Sequence, residues 1–468
     1  MMRLAVSACA ALCALILPAT ATAQTPQSVE ATFSDDSLNA YVLQIEAALA
    51  RAQAAEGVIP QSAADAITQA AVPGAVPADE LAAEYDIVRH RMVAFLHVFS
   101  RSLDPEAANY LHYGATTVDI YDTARMLQVR QSILLTIEDL RAIELQLIEL
   151  AETHRDTPMI GRTLGQHALP ITFGKKVSGW IGENRRHIDR LTDLLDRVER
   201  SAIMKGAVGS YVGLGDRAQA VERRFGAELG LGEPYADDWH ASRDVFAEYA
   251  ADLALIARFY GRIGQEVFLL QSTDIAEVVE RRSSTAVGSS TMPHKNNPSL
   301  SEALIQYARI IPRQAEVVGD DMINMFERDN TSRPNRAVAE IAIETEDMLS
   351  AASRLIGRLD VNADTMRRNL DRSGGWILSQ RFVFALAPHM GRTEAEELVR
   401  AMAADAHDSG AGLREAALAQ PAVRAALSDA EIGALLDPTT YLGLAGEQVD
   451  SVVAAARAAR EHDPVPLD

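Results

Sequence analysis

One long stretch without a helix breaker places the strongest constraint on the fold of this chain. From Tyr121 to Arg155 the sequence has neither proline nor glycine, and its large apolar residues recur every three or four positions. This spacing predicts a single long α-helix. Further leucines widen the apolar face until it nearly encircles the helix, which therefore needs packing partners on several sides, as in the middle of a bundle. The apolar residues are Leu127, Leu134, Leu135, Ile137, Leu140, Ile143, Leu145, Leu147, Ile148 and Leu150.

Two more stretches show helical spacing of apolar residues, from Ala241 to Ile275 and from about Ser299 to Met325. In the first of these stretches, small residues such as Gly261 and Gly264 recur at positions that let a neighbouring helix approach closely. Valine and isoleucine never settle into repeated alternation with polar residues, so we assign few strands. The sequence therefore predicts an all-α, three-lobed fold built on a long central helical bundle.

Breaks rich in proline and glycine divide the chain. The clearest ones are Val72-Pro73-Gly74, Thr157-Pro158 and Gly374-Gly375, and after the last of these the helical segments become shorter and richer in alanine. We predict an N-terminal helical domain over residues 24–112, a central helical bundle domain over 113–370 and a C-terminal helical domain over 371–468.

The charge balance argues against nucleic acid as a partner. Lysine and arginine total 44 and aspartate and glutamate total 65, which gives a formal net charge of −21. An acidic chain binds nucleic acid only through a local basic stripe, and we find none. Hydrophobic residues make up 48% of the chain, enough for a large core, which excludes intrinsic disorder as the overall state.

The first 23 residues have the pattern of a secretory signal. Arg3 precedes the apolar run Leu4 to Leu17, and Ala21-Thr22-Ala23 offers a cleavage site with small residues. The run of 14 residues is too short to span a bilayer, which takes about 20 residues. We therefore expect cleavage after Ala23 and a periplasmic or secreted protein that no longer contacts the membrane. Both cysteines, Cys9 and Cys13, would be removed with the signal.

The segment from Gly288 to Pro298, which reads G-S-S-T-M-P-H-K-N-N-P, carries the strongest chemical signal. A flexible run of glycine and serine leads into Lys295, two amide side chains and a predicted helix start near Ser299. Exposed backbone donors, a lysine and a helix N-terminus together suit a carboxylate ligand. From the residues alone, an ordinary helix-capping loop is the favoured interpretation.

The same segment resembles the G-S-S-x-M-P-x-K-x-N-P signature of the fumarase/aspartase superfamily. The run from His112 to Asp119 resembles that family's H-x-G-x-T-S-x-D motif, with Thr117 where serine is usual. The run from Gly161 to Gln166 resembles its G-R-T-H-x-Q motif. Two segments resemble the adenylosuccinate lyase branch: Phe326 to Asp329, with its E-R-D turn, and Leu436 to Gly443, in the C-terminal lobe. The resemblance extends from about Phe33 to Val453.

Two details concern the branch of this family. Trp239 to Asp244 resembles the W-H-x-x-R-D run of 3-carboxy-cis,cis-muconate cycloisomerases. Leu164 stands where adenylosuccinate and argininosuccinate lyases have the histidine that serves as general acid, and cycloisomerases lack that histidine too. The predicted signal peptide and the departure of residues 330–336 from the nucleotide-binding pattern argue against a true adenylosuccinate lyase.

The resemblance implies a reaction in which a proton leaves the carbon beside a carboxylate and a group on the neighbouring carbon is expelled. It assigns Ser289 as the base and Lys295 with Asn297 as the groups that stabilise the aci-carboxylate. His112 is the third predicted catalytic residue and would hold a second carboxylate. It implies no cofactor, and we predict no metal site. The predicted substrate-binding residues are Thr116, Thr117, Arg162, Thr163, Gln166, His167, Arg243, Ser290, Met292, Asn297 and Arg328.

Several of these side chains also have a purely structural interpretation. Arg162 could pair with a carboxylate of the bundle, and His167 could be a structural histidine. His240 and Trp239 fit core packing. Asp119 and Asp122 fit caps at a helix N-terminus better than a metal pair.

Three functional hypotheses follow. The first is an exported lyase that catalyses β-elimination, with C–N or C–O cleavage and a fumarate-type product, from a succinyl-type or other polycarboxylic substrate. The second is a lactonising enzyme similar to 3-carboxy-cis,cis-muconate cycloisomerase, and the third is a non-catalytic binding or structural relative. The resemblance further implies a homotetramer with sites shared between chains. The apolar character of residues 121–155 supports this, because a lone monomer would leave that surface wet. The leaving group, the direction of the reaction and the general acid stay open.

Overall fold

The computed structural model describes residues 26–240, 242–282, 291–292, 294–329 and 335–464. The predicted signal segment, the predicted base Ser289 and its neighbour Ser290 therefore lie outside the described residues.

Helices form nearly all of the regular structure, which confirms the predicted all-α class. In chain order the helices are α1 Val29–Thr32, α2 Asp35–Ala55, α3 Gln61–Ala70, α4 Ala78–Val88, α5 Arg91–Ser100, α6 Pro105–Ala108, α7 Thr117–Thr153, α8 Phe173–Glu199, α9 Ala218–Glu228, α10 Asp244–Leu270, α11 Ser299–Asp320, α12 Asn335–Gly357, α13 Ala363–Asp371, α14 Ser379–Met390, α15 Arg392–Ser409, α16 Leu413–Ala419, α17 Pro421–Ala426, α18 Asp429–Leu435 and α19 Ala445–Ala459. The strands are β1 Pro158–Thr163, β2 Gln166–Thr172, β3 Val278–Glu280 and β4 Leu359–Val361. Short 3-10 turns lie at Gly215–Arg217, Trp376–Leu378, Pro438–Thr440 and Arg460–His462.

The central bundle consists of α7, α8, α10, α11 and α12. Helix α7 has 37 residues, which corresponds to about 55 Å at 1.5 Å per residue. It begins four residues earlier than the predicted stretch because Asp119 accepts a hydrogen bond from the backbone N–H of Thr116 at 3.0 Å, which completes the helix start. The predicted helix after residue 241 is α10, and the one from Ser299 is α11.

The single chain already covers α7, which corrects one expectation. The prediction that a lone protomer leaves the apolar surface of this helix exposed to water is wrong. Its apolar residues are buried or half-buried among α2, α8, α12 and α19, and Leu145, with 52% exposure, is the exposed large apolar side chain of α7. The burial of this helix within one chain removes it as independent support for an oligomer.

Exposed apolar side chains lie instead on α10 and α11. These two helices pack closely because Gly264 has no side chain, and a Cβ at that position would lie 2.9 Å from the Cβ of Leu304. On the outer side of the pair the exposed residues are Leu255, Phe268, Leu269, Ile310 and Val317. None of the helices in the described part of the chain is both long enough and apolar enough to cross a membrane.

The buried apolar residues form three clusters. The largest lies within the central bundle, a second joins the N-terminal helices to residues 202–231 and the start of α7, and a third lies among α13 to α18. The N-terminal cluster thus includes residues that the sequence pattern assigns to the central stretch. The boundaries at 112 and 370 stay predictions.

An antiparallel hairpin of β1 and β2 follows the C-terminal end of α7. Its two central turn residues, Leu164 and Gly165, have φ angles of 54° and 74°. Two consecutive positive φ angles define the type I′ turn, whose twist matches that of a two-residue hairpin. The turn projects from the protein, with Leu164 fully exposed.

A buried charge cluster ties residues near 460 to the bundle. Arg185 in α8 donates to Glu144 in α7 through Nε at 2.9 Å and to Asp463 through Nη1 at 2.5 Å. Arg460 donates to the same Glu144 at 2.9 Å. Glu144 is fully buried and is neutralised by two guanidinium groups that lie far apart in sequence.

Candidate active site

The predicted site residues lie in two groups at opposite ends of the protomer. The first group surrounds the N-terminal end of α7 and contains His112, Thr116, Thr117 and Arg243. The second surrounds the β1–β2 hairpin and the segment before α11, and contains Arg162, Thr163, Gln166, His167, Met292, Lys295 and Asn297.

His112 precedes α7 and adopts a left-handed conformation with φ of 59°. Its Nδ1 lies 2.7 Å from Oε1 of Glu46, a carboxylate of α2 that is only 1% exposed. Burial alone would lower the pKa of His112, but the hydrogen bond and the charges of Glu46 and Asp119 outweigh it and raise that pKa. The Glu46 carboxylate therefore stabilises the protonated form of the ring. Glu46 was not found by sequence reasoning, because it lies in no motif and 66 residues from its partner.

Asp119 fixes the backbone around the start of α7. Besides the N–H of Thr116, it accepts hydrogen bonds from the N–H of Lys205 at 3.2 Å and of Gly206 at 3.1 Å. This confirms its predicted role as a cap and adds a second one, since it also joins the 205–215 loop to the helix. Thr116 and Thr117 are thereby held half-buried at the helix N-terminus, where backbone N–H groups favour an anion.

Asp122 is not a helix cap, which corrects that prediction. It lies in the next turn and pairs with His240, whose Nδ1 is 2.9 Å away, and with Arg243, whose Nη1 is 3.2 Å away. The other nitrogen of His240, Nε2, lies 3.3 Å from Asp119. Burial disfavours the charge on His240, but the two carboxylates outweigh it and raise its pKa to about 9. They hold the imidazole ring between two turns of α7.

Arg243 is buried in this ion pair and is not an open anion ligand in the protomer. Trp239, at 2% exposure, packs in the central core, which agrees with its structural interpretation. His240 is likewise buried, and both of its ring nitrogens contact carboxylates, which agrees with its interpretation as a packing histidine with satisfied hydrogen bonds.

The 205–215 loop is tied to the same end of α7 by a second buried cluster. Lys205 is 1% exposed and donates to Glu222 at 2.9 Å, and the Tyr211 hydroxyl donates to the same carboxylate at 2.6 Å. Gly213 lies directly against Gly114, where an added Cβ would be 2.9 Å from the Gly114 carbonyl oxygen. The loop is thus fixed beside the His112 motif.

The loop after α11 returns to this first end. Burial raises the pKa of Asp321 to about 6, against the smaller opposing effect of the positive charge of Arg243. The predicted ligand Arg328 lies half-buried in this loop. Asp329 closes the turn by accepting the backbone N–H of Met325 at 2.8 Å.

At the second end, Arg162 forms a bidentate pair with Glu277, with nitrogen–oxygen distances of 2.6 and 2.9 Å. Glu277 is fully buried and also accepts the amide of Asn369 at 2.8 Å. Within one protomer, Arg162 therefore has the structural role of an ion-pair partner, because its guanidinium is bound by the carboxylate of Glu277.

The neighbouring hairpin residues Thr163, Gln166 and His167 are exposed. Burial and the positive charge of Arg162 lower the pKa of His167, with a smaller opposing effect of Glu277. His167 is therefore more readily neutral than an ordinary histidine.

The segment before α11 is fixed through its backbone. The backbone carbonyl of Asn296 accepts a hydrogen bond from the side-chain amide of Gln271 at 3.0 Å. The side-chain amide of Asn296 donates to the backbone carbonyl of Glu280 at 3.1 Å. Arg282 donates to the backbone carbonyl of Lys295. Glu280, which is 5% exposed, caps α11 by accepting the N–H groups of residues 300 and 301 at 3.0 and 2.9 Å. This leaves Lys295 exposed beside a helix start.

Lys295 and the hairpin lie at the same end of the protomer. Glu277 pairs with Arg162 of the hairpin, and Glu280, only three residues later, caps α11 next to Lys295. His112 lies at the other end. Helix α10 connects the two ends, from Arg243 beside Asp122 to Gln271 beside Asn296, and its 27 residues span about 40 Å. One copy of the chain therefore does not bring the two groups together.

Comparison with known proteins gives concordant matches along nearly the whole chain. The model of a lyase family matches residues 20–312, and that of the adenylosuccinate lyase C-terminus matches residues 375–452. An N-acetyl-S-(2-succino)cysteine lyase of Dickeya dadantii is 34% identical over 92% of this chain and 94% of its own length. The chain belongs to the fumarase/aspartase superfamily.

Solved structures of this superfamily have the same fold. A fumarate lyase from Mesorhizobium sp. BNC1 is 36% identical with a TM-score of 0.84, over 91% of this chain and 97% of the other. A 3-carboxy-cis,cis-muconate lactonizing enzyme from Pseudomonas putida is 33% identical with a TM-score of 0.84, over 93% and 98% of the two chains. The protein is thus an enzyme of a superfamily whose members include both lyases and cycloisomerases.

Proposed function

We propose that the protein is a lyase that catalyses β-elimination from a succinyl-type or other polycarboxylic substrate and releases a fumarate-type product. The observation that carries the proposal is the Lys295 segment, in which an exposed ammonium lies beside the capped start of α11. The name of the Dickeya relative, which refers to a succino-substituted cysteine, supports a succinyl compound as the substrate class.

Removal of a proton beside a carboxylate concentrates negative charge on that carboxylate, and this charge is the main barrier to the reaction. Lys295 and Asn297 would stabilise it, because preorganised cations and dipoles stabilise developing charge more than water does. Ser289 would take the proton as an alkoxide base. The imidazolium of His112 and the hydroxyls of Thr116 and Thr117 would hold the second carboxylate of the substrate, while Thr163 and Gln166 would face the leaving group.

The two groups of residues would meet between copies of the chain. Superfamily members are usually tetramers, and the exposed apolar side chains of α10 and α11 are suited to contacts with other copies. We propose a homotetramer in which each site combines His112 of one chain with residues of the second group from other chains. Mixing an inactive His112→Ala variant with an inactive Lys295→Ala variant would then restore part of the activity. Two variants that stay inactive after refolding together, or a stable monomer by light scattering, would contradict the shared site.

Activity is tested with a panel of N-succinyl and S-succinyl amino acids by following fumarate through its ultraviolet absorbance. Lys295→Ala is expected to lower kcat about 10²–10³-fold, because a charge-stabilising group is lost. Ser289→Ala is expected to lower it about 10²–10⁴-fold. Lys175→Ala is the matched control, since Lys175 lies in α8 outside both groups. The absence of turnover across the panel would argue against the proposed reaction.

A cycloisomerase reaction is the second candidate. Two observations favour it. Leu164 lies at the exposed hairpin tip, where adenylosuccinate and argininosuccinate lyases have the histidine that serves as general acid. The chain is also similar to the lactonizing enzyme of Pseudomonas putida. Formation of a lactone from a carboxymuconate without release of fumarate would establish this alternative.

We also propose that the enzyme is exported. The support is the sequence pattern of residues 1–23, of which the first 19 precede the match to the lyase family. Expression of the full chain in a Gram-negative host followed by N-terminal sequencing of the periplasmic fraction is expected to give Gln24 as the first residue. A full-length chain found only in the cytoplasm would contradict export.

A further inference from the structure

We propose that Glu46 is a positioning residue that keeps the imidazole of His112 cationic and oriented for a substrate carboxylate. The inference rests on the proposed function for the identity of the ligand. It rests on the geometry of the protomer for the pairing itself.

The pairing fixes which ring nitrogen carries which role. A carboxylate can only accept a hydrogen bond, so the 2.7 Å contact requires Nδ1 of His112 to donate to Glu46. Among the described residues no hydrogen bond of the other nitrogen, Nε2, is seen, and 15% of the His112 side chain is exposed. Nε2 is the nitrogen left to meet a ligand.

The buried charge of Glu46 in turn needs the positive charge of His112. Its side chain is buried, and its second oxygen, Oε2, has no hydrogen-bond partner among the described residues. A buried carboxylate without a cation is costly, and the imidazolium is the cation in contact with it. Loss of the proton from His112 would leave this carboxylate uncompensated, so the pair resists deprotonation.

The other groups around His112 also identify Glu46 as the carboxylate that decides the charge of the ring. Glu46 faces the ring from α2, and Asp119 acts on it from α7. The phenol of Tyr121, also on α7, lies within the field of Glu46 and is itself uncharged at neutral pH because its pKa is raised to about 12. Asp119 is already bonded to three backbone N–H groups, whereas Glu46 has His112, which makes Glu46 the carboxylate that decides the charge of the ring.

Glu46→Gln tests the inference, because it keeps the shape and removes the charge. In the full-length protein, the titration midpoint of the His112 ring is followed by proton NMR, and fumarate serves as the probe anion in calorimetry. We expect a lower midpoint. At a pH between the midpoints of the variant and the wild type, we expect about tenfold weaker fumarate binding by the variant, with a smaller loss at a pH below both midpoints, where the ring regains its proton. Glu46→Asp, which restores the charge, is expected to recover most of the affinity.

A matched control lies in the same lobe. His97 and Glu84 form a contact of 2.8 Å, but 53% of the His97 side chain is exposed. Glu84→Gln is expected to leave fumarate binding unchanged. An unaltered His112 midpoint in Glu46→Gln would overturn the inference, and so would a lowered midpoint with undiminished fumarate binding at both pH values. If the wild-type protein binds fumarate but shows no turnover, the proposed reaction fails while the NMR titration still decides the role of Glu46.

Discussion

The guanidinium of Arg162 lies in a bidentate ion pair with the carboxylate of Glu277. This pair joins the hairpin after α7 to the segment between α10 and β3. It therefore connects the two parts of the protomer that carry Thr163 and Lys295.

Removal of Glu277 should strongly destabilise the fold. Glu277→Ala leaves Arg162 half-buried without its partner and Asn369 without its acceptor, and we expect the free energy of unfolding to fall by about 3–5 kcal/mol. Urea denaturation measures it. The control is Glu396→Ala, because Glu396 pairs with Arg392 at 2.8 Å on the exposed surface of α15 and should cost at most about 0.5 kcal/mol. Equal losses in both variants would contradict the importance of the buried pair.

The hairpin turn should become more stable with a residue that suits its backbone. Leu164 has φ of 54° and is fully exposed, so its side chain gains no burial in the protomer in return for a left-handed conformation. Leu164→Asn creates the Asn-Gly pair typical of type I′ turns and should raise the free energy of unfolding by up to about 1 kcal/mol. Leu169→Asn in strand β2 is the matched change and should lower it. A destabilised Leu164→Asn variant would argue against strain at the turn.

His240 should make stability depend on pH. Its pKa is raised to about 9 in the folded protein. The protonated His240 ring stabilises the fold fully at pH values below its pKa in the unfolded chain, which is about 6.5. This stabilisation, about 3 kcal/mol, is lost as the pH rises through about 9. Denaturation of the wild type and of His240→Gln between about pH 6 and pH 10 should show this extra loss only in the wild type. Parallel profiles for the two proteins would contradict a charged His240.

Two glycines should respond in opposite directions to the same change. Gly264→Ala places a Cβ 2.9 Å from Leu304 Cβ and from the Ser301 carbonyl oxygen, so helices α10 and α11 must separate, at a cost of about 1–3 kcal/mol. Gly179 in α8 has nothing within 4 Å of an added Cβ. Gly179→Ala should therefore stabilise by about 0.5–1 kcal/mol through helix propensity. Thermal unfolding measures both, and a neutral Gly264→Ala would show that the helices are less tightly packed than the geometry indicates.

The sequence predicted the long helices well because their periodicity extends over many turns. It did not predict how completely α7 is buried, since a pattern of apolar residues shows which faces need cover but not whether the same chain or another copy supplies it. The true cover is provided largely by α2, α8 and α12.

The candidate site, too, could be predicted from the sequence only in part. Motifs located His112, Arg162 and Lys295, but the partners Glu46 and Glu277 lie 66 and 115 residues away from the groups they bind. No local spacing signals such a pair, because it depends on how helices cross. The prediction that Asp122 is a cap was wrong for a similar reason: its position near a helix start fits a cap, whereas the tertiary fold supplies His240 and Arg243 as partners.

The charge cluster around Glu144 has a consequence for the order in which this protein can mature. Glu144 lies in α7, its first guanidinium comes from Arg185 and its second from Arg460. A nascent chain that still holds residue 460 within the ribosome carries a central helix with an incompletely compensated acid. Full compensation of Glu144 therefore requires that residue 460 has left the ribosome, so the central bundle is completed late in synthesis.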